Sequence, residues 1–142
     1  MFSIFKIFKK KKIVPHVRLS GVIGSVGKFK QGLDFVGQKE IIQKAFSIKK
    51  AKAVAISINS PGGSPVQSHL IYSYIRNQAK KNKKKVLVFA EDVAASGGYL
   101  IACSGDEIYA NSSSIVGSIG VIYSSFGLQE LIKKAGIQRR IY

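Results

Sequence analysis

The chain has little of several things, and each shortage closes a route. Its 142 residues hold one cysteine, Cys103, so no disulfide forms within the chain. Cys103 follows the apolar run Tyr99-Leu100-Ile101-Ala102, a setting that predicts a packed thiol. Two histidines, His16 and His69, and that one cysteine make no recognisable ligand set, so neither a metal centre nor another cofactor is expected. The histidines are also poorly placed as bases. His16 precedes the first predicted strand with no acidic neighbour, and His69 sits about a turn into a helix whose buried stripe is expected at Leu70, Ile71 and Tyr74. No apolar run approaches the 20 or so residues needed to cross a bilayer, and there is no small-residue cleavage site of a secretory signal.

Acidic residues are also scarce. Seven Asp and Glu face 23 Lys and Arg, for a net charge of +16. A polyanion-binding module would explain such an excess, but Lys80-Lys81-Asn82-Lys83-Lys84-Lys85 fills a predicted helix-to-strand connection without interleaved aromatics, which reads as a solvated loop and not as a specific nucleic-acid site. The other cluster, Met1–Lys12, joins Phe2, Ile4, Phe5, Ile7 and Phe8 to Lys9-Lys10-Lys11-Lys12. It is a basic amphipathic leader that suits either an interfacial anchor on anionic lipid or a basic tail.

What remains is one α/β domain. Strands are predicted at Val17–Val22, Ala53–Ile58, Val86–Phe89, Glu107–Ala110 and Ile137–Tyr142. Helices are predicted at Gln38–Lys49, Pro65–Lys80, Gly97–Ala102 and Gly127–Ala135. That alternation predicts a mainly parallel sheet, with Gly24 to Gly37 as a linker.

Two turns carry the chemistry. Val86–Ala90 reads as a buried strand that leads through Glu91-Asp92-Val93-Ala94-Ala95 to Ser96, with Gly97-Gly98-Tyr99 opening a helix. Ser96 sits where a hydroxyl is exposed at a strand-to-helix elbow, as a nucleophile must be, although a serine there can also merely cap the helix. The strand at Ala53–Ile58 runs into Asn59-Ser60-Pro61-Gly62-Gly63-Ser64-Pro65, where Ser64 suits an N-cap and Pro65 the first helical position. Paired glycines allow close backbone approach to a reacting carbonyl, which makes the amides of Gly63 and Gly97 the candidate oxyanion donors.

These two blocks, followed by Ala110-Asn111-Ser112-Ser113-Ser114-Ile115-Val116-Gly117-Ser118-Ile119-Gly120-Val121, resemble in order the signal peptide peptidase A family of serine/lysine peptidases, which share the fold of the Clp protease and the crotonases. The resemblance covers Ile58 to Ile122 and implies a Clp protease/crotonase-like spiral of βα units. By it, Ser96 is the catalytic nucleophile, Gly63 and Gly97 form the oxyanion hole, Ser118 positions a general-base lysine, and Gly62 and Gly117 lie beside the substrate backbone. It further implies cleavage of hydrophobic signal peptides and assembly into a homo-oligomeric ring.

The family's lysine falls just past the strand read at Ile137–Tyr142. Read to Tyr142, the sequence contains no lysine at that position, so residues 13–142 are expected to be a peptidase domain truncated before its base. Lys133 and Lys134 have the spacing of a solvated helix face. An inactive relic or peptide-binding subunit of the same fold is the first alternative. The second is a crotonase-type acyl-CoA enzyme, against which the serine at 96 counts. The leader lacks the transmembrane segment common in the family, which leads us to expect a cytoplasmic protein, peripheral on the inner face of the membrane.

Overall fold

A computed structural model describes residues 13–24, 32–118, 120 and 133–136. Five strands form one parallel sheet, β1 (His16–Ser20), β2 (Ala53–Ser60), β3 (Lys85–Ala95), β4 (Glu107–Ala110) and β5 (Ile115–Gly117). The order is β1-β2-β3-β4, and β5 pairs with the far end of β3. Helices α1 (Phe35–Ser47), α2 (Pro65–Asn82) and α3 (Gly97–Ala102) make the crossovers that parallel neighbours require.

The core lies between the helices and one face of the sheet. Alternation along the strands turns Val17, Leu19, Val54, Ile56, Val86 and Val88 inward, all of them buried. They meet Ile42, Ala45 and Phe46 of α1, a spacing of three and four that keeps these side chains on one face. Ser68, Ile71, Ile75 and Ala79 form the matching stripe of α2. Leu70, expected in that stripe, is 39% exposed, because it falls one position short of Ile71 and points off the sheet. On the opposite face, the cross-strand row Arg18, Ser57, Phe89 and Tyr109 runs over the sheet, with the Phe89 and Tyr109 rings stacked at 5.1 Å.

Several boundaries move for local reasons. Asp34 accepts the Gly37 amide at 2.7 Å and so starts α1 three residues before the predicted Gln38. Gly24 is likewise not the start of a linker: its amide donates to Leu33 O at 2.9 Å, and Leu33 N donates to Val22 O at 2.9 Å, so the chain leaves and rejoins the same place. The lysine run is not simply a solvated loop. Lys80 and Lys81 end α2, Lys83 caps it at φ 51°, and Lys84 Nζ donates to the carbonyls of Phe46 and Ile48 at 2.6 and 2.7 Å, tying down the end of α1. Desolvation there lowers the Lys84 pKa. The leader, the strand at 137–142 and most of the helix at 127–135 lie outside the described residues; Lys133 and Lys134 are helical and exposed.

Candidate active site

A break in strand register builds the site. Parallel pairing of β2 with β3 is regular from Ala53–Lys85 to Ile58–Ala90, and it then resumes at Ser60–Ala94. Two residues of β2 thus span four of β3, and the surplus takes Glu91, Asp92 and Val93 out of the pairing with β2. The Asn59 side chain fills the gap: its Nδ2 donates to Asp92 Oδ2 at 2.9 Å and its Oδ1 accepts the Val93 amide at 3.3 Å. Beyond the bulge β3 takes a new partner, with Val93, Ala94 and Ala95 opposite Ile115, Val116 and Gly117 of β5.

This rerouted strand ends at Ser96, whose φ of 52° and ψ of −119° lie where residues with a Cβ rarely go. Such a backbone costs about 1–3 kcal/mol and persists only where its surroundings enforce it. Here the Ser96 amide donates to Gly117 O at 2.8 Å and the Ser96 carbonyl accepts from Leu100 N at 3.0 Å. The Ser96 side chain makes no capping hydrogen bond, so the hydroxyl is not used to start α3.

The second turn is pressed against the first. Gly62 has φ +100°, and a Cβ on it would stand 2.7 Å from Ser96 Cβ and 2.8 Å from Gly97 N, so only glycine lets the turns meet. Ser60, fully buried, accepts the Gly62 amide at 3.1 Å. Ile23 holds the next step by donating to Gly62 O at 2.9 Å and accepting from Ser64 N at 2.8 Å, which leaves the Gly63 amide between them facing the other way. Ser64 and Pro65 start α2 as the sequence predicts, with Ser64 Oγ accepting from Gln67 N at 3.4 Å.

Among the described residues no acceptor takes up the amides of Gly63 or Gly97. Both residues line a cleft of about 300 Å³ together with Ser96, Ser118 and Gly120, walled by Pro65, Tyr99, Leu100 and Cys103. Ser118 is exposed at φ 55° and shares the cleft with Ser96. Gly62 lies buried beneath the elbow, and Gly117 meets it through its carbonyl. Neither His16, which is 2.8 Å from Ser57 Oγ, nor the exposed His69, which contacts Ser73, lines the cleft. Lys133 and Lys134 do not line it either.

Three wall residues escape a motif-based reading. Tyr99, Leu100 and Cys103 stand one and four positions apart, so a six-residue helix turns all three to one side while Ile101 and Ala102 go to the core. Cys103 is therefore exposed, where an apolar neighbourhood in sequence predicts a packed thiol. The charge and the hydrogen bond of that thiol raise the Tyr99 pKa. Arg18 supports the bulge from the edge strand: it holds Glu91 in a two-pronged ion pair, Nε to Oε1 at 2.8 Å and Nη2 to Oε2 at 2.6 Å, and this hydrogen bonding keeps the Glu91 pKa at about 2.

The family model of peptidase family S49 matches residues 78–142. A Brucella melitensis protein named Na(+)/H(+) antiporter NhaA is 58% identical over 130 residues, which are 91% of this chain and 18% of that protein. The chloroplastic serine protease SPPA of Arabidopsis thaliana is 37% identical over 123 residues, 82% of this chain and 18% of that one. The chain thus spans about a fifth of the length of either relative. Among solved structures, a point mutant of the 1510-N membrane-bound stomatin-specific protease superposes with a TM-score of 0.60 at 22% identity, covering 82% of this chain and 53% of that one. The fold is accordingly that of this protease, an α/β fold with a mainly parallel sheet.

Proposed function

Since the chain belongs to the signal peptide peptidase A family, peptidase family S49, we propose that it carries the nucleophile half of a serine peptidase site that cleaves hydrophobic peptides, remnant signal peptides among them. The observation that carries this reading is the strained Ser96 elbow, whose hydroxyl makes no capping bond, set beside two amides that have no acceptor among the described residues. Ser96 Oγ attacks the scissile carbonyl, and the amides of Gly63 and Gly97 receive the oxygen as it becomes negative. A single donor of that kind is worth about 10²–10³ in rate. The amine leaves, and water hydrolyses the acyl-enzyme.

The proton of Ser96 goes to a lysine held by the Ser118 hydroxyl. No lysine or histidine is among the described lining of the cleft, so the base comes from elsewhere. A lysine can serve because desolvation in a closed site lowers its pKa and leaves a neutral amine. The substrate backbone lies along the exposed side of the Gly62-Gly63 turn, at Gly63 and not at the buried Gly62, and beside the segment that starts at Gly117; subunits associate as a homo-oligomeric ring, and the leader Met1–Lys12 rests on an anionic membrane surface at the cytoplasmic side. No described helix is long and apolar enough to cross a membrane. The antiporter's name belongs to a protein of which 18% is aligned, and it does not enter this reading.

That no base stands among the described lining residues favours one second reading, a peptide-binding subunit that does not cleave. A fluorophosphonate separates the two. Under the peptidase reading the chain gains a mass adduct on Ser96 that is lost in Ser96→Ala. A wild-type chain that stays unlabelled, yet still retains a fluorescent hydrophobic peptide in an anisotropy titration, supports the binding subunit and rejects the peptidase.

A further inference from the structure

Six lysines stand at the end of the sheet opposite Ser96, and among the described residues no carboxylate is paired to them. Because β1, β2 and β3 are parallel, they start at one edge, where α1 and α2 finish. The turn between α1 and β2 brings Lys49, Lys50 and Lys52 there, and the end of α2 brings Lys80, Lys81 and Lys83. All six are exposed. Two grooves cross this surface, one of about 560 Å³ with Lys80 on its wall and one of about 330 Å³ with Lys49 and Lys52, and Lys83 and Lys84 border both. The nearby acids are already engaged, Asp106 with Arg76 at 2.9 Å and Glu107 with Lys85 at 3.0 Å. The leader is attached at the same end: Pro15 O accepts Ala55 N at 2.9 Å, which fixes the chain just after Lys9–Lys12 beside the start of β2.

We propose that this lysine pole is a docking surface for an anionic lipid bilayer, which adds to the contact proposed for the leader and turns the Ser96 cleft away from the membrane. Unpaired lysines at a fixed surface attract anionic headgroups, each strengthening binding about fivefold at low salt. A nucleic acid is also a polyanion, but the walls of the grooves offer no exposed ring on which a base could stack, and Phe46 beneath them is fully buried. The attached leader supplies Phe2, Ile4, Phe5, Ile7 and Phe8, which suit the acyl boundary of a bilayer and serve no purpose on a phosphate backbone. With β3 spanning eleven residues, Ser96 stands roughly 30 Å from the pole.

The proposal extends the leader reading and is independent of peptidase activity. The test is co-sedimentation of the full chain with phosphatidylcholine vesicles, with and without a third of phosphatidylserine. Three proteins are compared with wild type: Lys49→Gln/Lys52→Gln/Lys80→Gln, the same three sites as Lys→Arg, and a leader variant with Lys9 to Lys12 changed to Gln. Binding should require phosphatidylserine and fall on the order of 100-fold in the triple Gln variant. It should persist in the triple Arg variant, which retains the charge, and the leader variant should show a separate loss. Wild-type binding by the triple Gln variant would reject the pole even if the leader variant fails. Equal binding to pure phosphatidylcholine would reject it too, as would a duplex oligonucleotide that displaces the protein from vesicles at equal phosphate concentration.

Discussion

The two halves of β3 obey different rules. From Lys85 to Ala90 the strand pairs in register with β2, and from Leu87 to Ala90 with β4 on the other side, over a row of branched side chains that the helices cover. From Glu91 to Ala95 it bulges, exchanges β4 for the three residues of β5 and meets β2 again only at Ser60. The first half makes stability and offers no reactive group. The second half forgoes ladder pairs and places Ser96 at a strained φ with its hydroxyl free of a capping role. The proposed chemistry sits where the regular structure gives out, and the regular half is what can hold that strain in place.

The contrast can be broken most forcefully from the regular half. Phe46 is completely buried under it, and Phe46→Ala should cost about 3–5 kcal/mol in a urea titration while leaving the Ser96 geometry intact below the transition. Gly97→Ala attacks the other half. A Cβ there would lie 2.2 Å from Ser68 Oγ, which is fully buried and itself donates to Ser64 O at 2.8 Å. Overpacking of that kind costs about 1–3 kcal/mol, less than the Phe46 cavity, but fluorophosphonate labelling of Ser96 should fall far more than in Phe46→Ala. If the two variants lose labelling in proportion to stability, the halves are not separable.

A smaller effect tests the bulge directly. Asn59→Ala removes the bonds to Asp92 and Val93, at about 1 kcal/mol for each, and the Ser96 labelling rate should drop with little change in the urea slope. This residue also marks how far sequence alone reaches. Asn59 is visible there only as part of a glycine turn, because a register shift belongs to two strands and neither sequence contains it. Alternation at Val54, Ile56 and Ile58 and the Ser64-Pro65 start of α2 depend on neighbours a few residues away and are legible directly. Ser96, Gly63 and Gly97 could be named from their motifs, yet their meeting depends on Gly62 reaching across from another turn. β5 is not legible in the sequence because three residues with no buried member carry no periodicity and become a strand only against the displaced end of β3. In sequence Lys84 reads as one more solvated lysine, since the carbonyls it binds come from the end of a helix about forty residues earlier, a distance no local pattern spans.

The smallest expected effect concerns acid. Glu91 heads the irregular half of β3, and the hydrogen bonds from Arg18 hold its pKa at about 2, below the value of roughly 4.3 it has in an unfolded chain. Its folded pKa is depressed, so the stability it contributes is fully present above about pH 4.5 and is lost as pH falls toward 2. The Arg18 side chain is 55% exposed, and water and salt screen the pair. Glu91→Gln should therefore lower the melting temperature slightly at pH 6, and the gap from wild type should narrow at pH 3, where the unfolded carboxylate is mostly protonated while the folded one, with its pKa at about 2, is still mostly ionised. Added salt at pH 6 should narrow the gap too. A gap that stays the same at both pH values would mean that Glu91 supports the bulge by shape alone and not through its charged pairing with Arg18.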